Sequence, residues 1–426
     1  MNVRAVRWPE EQEAVLDHIR LAYGAEEYEQ VATWYGMQPG FDPANCLVID
    51  GDEEGEIAAH ATLVPRQLQI GESVLPTAEI SLLSVLESYQ GRGYEGLLLE
   101  ALHQRMSEQE YALGLSFGDP WLFESWGYDY AVGLYLTNFE SEIGTEQALR
   151  AGQWSQEHSY ERRMADRLGA RSREVTVRRY YSDDLPAVQA LYAQESARGH
   201  YLFVRDQDTW AWQIEHLLRS GRGEVDDFLV AEVDGRLAAY ARLVSQGPVN
   251  TFRDTQAARF NVIEAAGDHP DAVEALLAQI GRMAQSFNVD RIGLFVHPQS
   301  VFMQHALVRG ARLRFFTGAA LLRLHNLALA LYLLEPTLEA RRLNSRFALR
   351  PYRLIVTTEQ EQAEAFLGMG EPEIVELEAP SVSIVRLMTG WYTIDNLTMG
   401  YAERYADLLR VLFPRRDPKI GLADLL

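Results

Sequence analysis

The 426-residue sequence predicts a mixed α/β (α+β) protein: two similar strand-and-helix units followed by a smaller α+β segment. Three observations carry that prediction. First, the apolar run Ile80–Leu86 meets the tight turn Gln90-Gly91-Arg92-Gly93, and an amphipathic apolar segment, Leu97–Met106, follows at once. Second, Gly55–Leu63 and Gly235–Leu243 are two copies of one pattern, GxφAAxAxL with φ aliphatic, and each is followed by the same order of elements. Third, the chain beyond residue 320 opens with an apolar helix pattern and continues in short strands.

Composition narrows the class. Hydrophobic residues are 47% and charged residues 23%, so the chain is globular rather than disordered. A net charge of −22 disfavours nucleic acid, whose phosphates want a basic footprint, and favours cationic partners such as amines. The single cysteine, Cys46, rules out an intrachain disulfide. No run is apolar for long enough to span a membrane, and the N-terminus lacks a signal peptide's apolar core, so a cytoplasmic, non-membrane protein is expected. The spacings HExxH, paired CxxC and EF-hand are missing, so no metal is expected.

Taken in order, residues 2–6 suggest a short strand and Glu10–Ala22 a helix, with Val15, Leu16, Ile19 and Leu21 among polar positions. Gly24–Pro43 reads as a loop carrying Glu26, Glu27, Trp34 and Tyr35. Cys46–Asp50 and Glu56–Leu63 form a hairpin across Gly51–Gly55, and Val64–Ile70 extends the sheet. The central strand follows at about Leu75–Val85, then the glycine turn and a helix at Tyr94–Glu110. Strand–glycine loop–helix presents unpaired N–H groups at the positive end of a helix, a cradle suited to a pyrophosphate. GxxxxGK[ST] does not occur there, and Gly91-Arg92-Gly93-Tyr94-Glu95-Gly96, though spaced GxGxxG, is not read as opening a dinucleotide-binding unit. Tyr111–Phe117 is the next strand, Leu122–Trp126 a short helix ended by Gly127, and Leu134–Phe139 a further strand.

Residues 146–171 read as a helical bridge, after which the same grammar restarts. Strands are expected at Glu174–Arg179, Phe228–Val233, Arg236–Leu243, Arg259–Glu264 and Arg291–Val296. Helices are expected at Leu185–Gln194, Pro270–Ser286 and Ser300–Arg309. In this copy Ala265–Pro270 replaces the glycine turn and Asp268 brings negative charge, so it is expected not to hold a phosphate. Then come an apolar helix Leu327–Leu334 ended by Pro336, a short helix Leu338–Leu343, strands at Tyr352–Val356 and Glu373–Leu377, the ambiguous Ser381–Met388, and a last helix Tyr401–Leu412.

Val85–Gly93 resembles the acetyl-CoA-binding segment of the GCN5-related N-acetyltransferases (GNAT), with Gln90 and Gly93 matching its [Q/R]xxGx[G/A] pattern. Glu87 replaces the family's usual Pro, and Glu95 stands where a small residue is usual. Over its whole length the chain resembles acetyltransferases of the enhanced-intracellular-survival (Eis) type. That resemblance implies tandem GNAT folds, each a twisted mixed sheet flanked by helices, and a sterol-carrier-protein-like C-terminal domain. It divides the chain into a working GNAT domain at 1–145, the bridge, a degenerate second GNAT domain at 172–320 and the sterol-carrier-like domain at 321–426. It further implies acetyl-CoA as co-substrate and a small-molecule or lysine amine as acceptor, and it leaves homo-oligomerisation open.

The site residues follow from these readings. Backbone amides at Leu83, Ser84 and Val85 are expected to orient the pantetheine and polarise the thioester, and Gln90, Gly91, Arg92, Gly93, Tyr94, Glu95 and Gly96 to hold the phosphates. The family's general-acid tyrosine falls at Phe123, which has no proton to donate. Either Tyr128, Tyr130, Ser125 or water supplies the proton, or coenzyme A leaves as a thiolate stabilised by local N–H groups, or the chain is a non-catalytic acyl-CoA binder. Glu79, Glu26, Glu27 and Glu124 are base candidates, and the Leu426 carboxylate is implied by the Eis-type resemblance. Trp34, Tyr35, Phe123 and Trp126 are candidate walls of a substrate pocket. His60 is expected to be held by core hydrogen bonds.

Overall fold

Strand β1 (Arg4–Ala5) lies beside β2 (Cys46–Asp50), and hairpins carry the sheet on to β3 (Ile57–Ile70) and β4 (Ser73–Val85). The computed structural model describes residues 2–140, 174–219, 228–244, 260–398, 400–419 and 424; the expected bridge at 146–171 and Leu426 lie outside them. The chain forms two compact units: Met1–Gly133 with Leu202–Trp212 and Gly318–Pro418, and Leu134–Tyr201 with Gln213–Thr317 and Lys419–Leu426.

In the first unit, α1 (Gln12–Tyr23) and α2 (Ala25–Val31) follow β1, so the expected Gly24–Pro43 loop begins as a helix. Gly24, at φ 98°, only separates the two helices. Helix α3 (Tyr94–Glu108) links β4 to β5 (Leu113–Ser116), and α4 (Pro120–Glu124) leads into β6 (Asp129–Glu140). The side chain of Asp119 accepts from Trp121 N–H, which fixes the start of α4. Strand β2 shows why the sheet is covered on both faces. Leu47 and Ile49 join the cluster around Leu98, Leu102 and Met106 of α3, while Cys46 and Val48 join the one around Val15 and Ile19 of α1.

The second unit holds β7 (Val175–Arg179), α5 (Leu185–Ala197), most of α6 (Gln207–Arg219), β8 (Phe228–Val233), β9 (Arg236–Val244), β10 (Asn261–Gly267), α7 (Pro270–Ser286), β11 (Arg291–Leu294) and α8 (Val301–Val308). Helix α6 is not foreseen by the sequence reading. The expected strand at 259–264 sits further along, so Ala265 and Ala266 are strand, not turn. Both units use one pairing scheme. β1, β2, β3 and β4 pair antiparallel in turn, β4 pairs parallel with β5, and β5 antiparallel with β12 (Arg312–Leu324). β7, β8, β9 and β10 repeat the antiparallel run, β10 pairs parallel with β11, and β11 antiparallel with β6.

The remainder of the first unit is α9 (Leu327–Leu343), a three-stranded sheet of β13 (Tyr352–Thr357), β14 (Gln362–Leu367) and β15 (Glu373–Glu378), then α10 (Ser381–Thr389) and α11 (Ala406–Leu412). Pro336 does not end its helix, contrary to the sequence reading. It and Tyr332, whose carbonyl loses its N–H partner, are both exposed, so water replaces the lost bond. Strand β14 was not foreseen, Ser381–Met388 resolves as helix, and the last helix starts at Ala406 rather than Tyr401. Thr337 of α9 grips the β3–β4 turn: its Oγ1 accepts from Glu72 N and Ser73 N, both at 3.0 Å, and donates to the Ile70 carbonyl at 2.7 Å.

Candidate active site

A defect in the pairing of β4 creates the site. Thr62 of β3 pairs with Ser81 and His60 with Ser84, so Leu82 and Leu83 together face the single Ala61. This is a β-bulge, and Leu82 sits at φ 54° to make it. The parallel ladder with β5 stops at Ile80–Ser116, although β4 runs on to Val85. Ser81–Val85 therefore have no β5 partner. Leu86 N–H donates to the Ala58 carbonyl at 3.0 Å. Inward and outward groups alternate along an antiparallel ladder, so Val85 N–H points away from β3, to the open side.

The next turn is anchored and then left open. Tyr89 hydroxyl donates to Glu56 at 2.5 Å and accepts Asp52 N–H at 2.6 Å, tying the 3₁₀ turn Glu87–Tyr89 to the β2–β3 hairpin. Gly91 (φ 75°) and Gly93 (φ 79°) take the left-handed conformation that a side chain disfavours, and a Cβ at either would meet nothing within 4 Å. Gly93 is the N-cap of α3 and offers no side chain to cap it. Its carbonyl accepts from Leu97 N–H at 3.2 Å, so the N–H groups of Glu95 and Gly96 precede the first intrahelical bond. Open space over two glycines at an uncapped helix N-terminus suits a diphosphate. Arg92 turns back over the Tyr89 ring at 4.6 Å and reaches Asp52 at 3.6 Å.

The second unit closes the same places with its own side chains. Tyr201 hydroxyl donates to the Ala265 carbonyl at 3.1 Å and accepts its N–H at 3.3 Å, occupying the edge that β10 leaves beyond β11. Helix α7 opens on Pro270, and His269 Nδ1 accepts Asp271 N–H at 3.2 Å. Asp268 is held by Arg236 at 2.8 and 3.0 Å.

Other expected site residues are dispersed. Glu79 is buried on β4 and bound by Arg66 Nε at 2.7 Å. Tyr128 is 1% exposed, hydrogen-bonded to His103 Nε2 at 3.1 Å, and its hydroxyl lies against Gly114 of β5; burial raises its pKa. Phe123 is equally buried, edge-on to Tyr128 at 5.2 Å. Trp126 lies tilted against His103 at 5.4 Å and covers Gly96. Tyr35 lies in the core on the other face of the sheet, with Trp34 at 6.2 Å. The four expected wall residues are thus split between two faces of one sheet. The side chains of Glu26 and Glu27 lie outside the described residues.

Histidines line the bulge, and their tautomers follow from their partners. A carbonyl only accepts, so His60 Nδ1–H donates to Leu82 O at 3.2 Å and its Nε2 accepts from Tyr35 hydroxyl at 2.8 Å. Burial, reinforced by the nearby His18, holds the pKa of His60 down at about 3. His18 Nδ1–H donates to Ile57 O at 2.8 Å and its Nε2 faces Ser84 Oγ at 2.8 Å. Burial lowers the His18 pKa as well. The Tyr23 ring is partly exposed but its hydroxyl turns inward to Leu83 O at 2.9 Å and engages Ser84; burial pushes its pKa up to about 12. Sequence reasoning missed His18 and Tyr23. The available signal was helical spacing: His18 shares the buried face of α1 with Val15, an odd place for a polar ring.

The fold is that of the GNAT superfamily over most of the chain. Residues 2–131 match the family described as acetyltransferase (GNAT) domain. A GCN5-related N-acetyltransferase from Anabaena variabilis is similar at 16% identity and TM-score 0.64, with 98% of each chain covered. One from Kribbella flavida is similar at 15% identity and TM-score 0.66, with 99% of each covered. Eis1 from Mycobacterium abscessus is similar at 13% identity and TM-score 0.59, again with 99% of each covered. No curated protein sequence matches the chain. Among the described residues no helix is long and apolar enough to cross a membrane, and no group of three or more His, Cys, Asp or Glu is placed to hold a metal ion.

Proposed function

We propose that the chain is an acetyl-CoA-dependent N-acetyltransferase acting on a primary amine of a small molecule or a lysine. The observation that carries this reading is the continuity of the unpaired β4 edge with the open, uncapped start of α3. These residues fit the co-substrate: the edge matches an amide-bearing pantetheine arm, and the glycine turn leaves room for a diphosphate against backbone N–H groups. When bound, acetyl-CoA supplies an acyl group activated as a thioester. The Val85 N–H would orient and polarise its carbonyl, and Gln90–Gly96 would hold its phosphates.

In this reading 1–145 is the working domain, 172–320 a second copy of the fold closed to nucleotides, and 321–426 an α+β domain of sterol-carrier type. The Leu426 carboxylate and Glu79 remain candidates for work at the acceptor amine, and the cytoplasm is the proposed location. Phe123, which cannot donate a proton, favours a second reading: a non-catalytic acyl-CoA binder. Calorimetry with acetyl-CoA, followed by release of free thiol over a panel of primary amines, tests both. Binding with turnover supports the enzyme, binding alone supports the second reading, and no binding removes both.

A further inference from the structure

Ser84 is the one hydroxyl on the unpaired end of β4 that meets a histidine base whose other nitrogen is already fixed. Its Oγ lies 2.8 Å from His18 Nε2, and His18 Nδ1–H is committed to the Ile57 carbonyl at 2.8 Å. That commitment leaves Nε2 as the lone-pair nitrogen, and of the two acceptors within reach of the serine proton, His18 Nε2 at 2.8 Å is nearer than the Leu82 carbonyl at 3.3 Å. An oxygen, a histidine within hydrogen-bond reach and a third group holding the ring is the arrangement that activates hydroxyls in many unrelated enzymes. Ser84 is only partly buried whereas His18 is 2% exposed, so one end of the pair reaches solvent and the other is walled off.

We propose that Ser84 and His18 are the proton-transfer couple of this site, with Ser84 the catalytic residue that touches the acceptor amine and His18 the residue that positions and relieves it. The proposal rests on the acetyltransferase reading above and deepens it. As the C–N bond forms, Ser84 Oγ takes a proton from the amine nitrogen and passes its own to His18 Nε2. As the C–S bond breaks with its electron pair left on sulfur, His18 returns that proton to Ser84, and Ser84 gives one to sulfur. One C–N bond is made, one C–S bond is broken, and one proton moves from nitrogen to sulfur; no other reactant is needed.

The surroundings suit this traffic. The groups facing His18 are His60 of β3, ring to ring at 6.0 Å, and Ser84 of β4; Tyr23, also on α1, meets Ser84. His60 is neutral, held between Tyr35 and Leu82 O, so it neither competes for the proton nor adds a fixed charge. Burial keeps His18 a weak base, which holds a proton only in passing. The couple also accounts for a working site without a hydroxyl at Phe123.

The test uses the full chain with acetyl-CoA as donor and spermine, an aminoglycoside and a lysine-containing peptide as acceptors, at saturating donor. Ser84→Ala is expected to bind acetyl-CoA within twofold of the unmodified chain, by calorimetry, while kcat falls about 10²–10⁴-fold with KM little changed. Ser84→Thr, which keeps the hydroxyl, restores most of that loss. His18→Gln falls as far, and the double variant falls no further than either single one, because the two act as a unit. Turnover of Ser84→Ala within threefold of the unmodified chain overturns the couple and leaves the acetyltransferase reading standing. Unmodified chain that fails to bind acetyl-CoA, or binds it without thiol release, removes the reading beneath it and the couple with it.

Discussion

Replacing Gly93 by alanine separates the strain of the turn from its work as a cradle. At φ 79° a side chain costs about 1–2 kcal/mol. The new Cβ would meet nothing within 4 Å, so no steric clash adds to that figure. A loss of this size is small against a typical stability of about 5–15 kcal/mol and leaves the chain folded, with Tm lower by about 1–4 °C. Phosphate oxygens bonded to the N–H groups of Glu95 and Gly96 need to come within about 3 Å of them, and a methyl group at the helix start stands in that approach. Losing one or two charge-assisted hydrogen bonds at about 1.5–2 kcal/mol each weakens coenzyme A binding by about 10- to 1,000-fold. Gly235 supplies the control. It has φ 78° and the same empty surroundings, but lies in the β8–β9 turn of the second unit. Calorimetry with coenzyme A and thermal melts on Gly93→Ala and Gly235→Ala should give matching melting shifts and very different affinities. Equal affinities in the two variants, both close to the unmodified chain, would refute the cradle.

Three further outcomes follow from the geometry. Tyr128→Phe removes a buried hydrogen bond to His103 and is expected to lower stability by about 1 kcal/mol with turnover kept within a few fold; a 10²–10⁴-fold loss of kcat would instead make Tyr128 the proton donor. Thr337→Val strips two N–H groups and a carbonyl of the β3–β4 turn of their partner. It is expected to cost about 3 kcal/mol in urea unfolding, with faster hydrogen exchange at Glu72 and Ser73. His60 binds a proton only near pH 3 when folded but near its ordinary 6.5 when unfolded, so the unfolded state takes up the extra proton between those values. Stability is therefore full above about pH 6.5 and falls on acidification at about 1.4 kcal/mol per pH unit from this residue. Urea midpoints from pH 7 to pH 4 should fall less steeply in His60→Gln, and equal slopes count against the assignment.

Much of this was legible in the chain itself. Hairpin turns, the strand–glycine–helix unit and the repeated GxφAAxAxL pattern place most elements, because alternation and glycine placement are local properties. Pro336 misled because helix breaking depends on whether the orphaned carbonyl sees water, a matter of exposure rather than residue type. The sequence makes Tyr128 a candidate proton donor and Tyr35 a candidate pocket wall, yet both lie in cores on opposite faces of a sheet. The pair Ser84 and His18 was invisible for a different reason: the two residues are 66 positions apart and meet only where α1 crosses the bulged end of β4.

The sequence by itself determined where most of the chain turns, most of its strands and helices, and that two glycines precede an apolar helix. Only the tertiary structure decided that the β4–β5 ladder stops at Ile80, that Tyr201 plugs the matching edge in the second unit, and which histidine nitrogen is left to accept a proton. The physical reason is reach: backbone preference and hydrophobic period act over a few residues, whereas an open strand edge or a fixed tautomer depends on what distant segments do or do not bring to it.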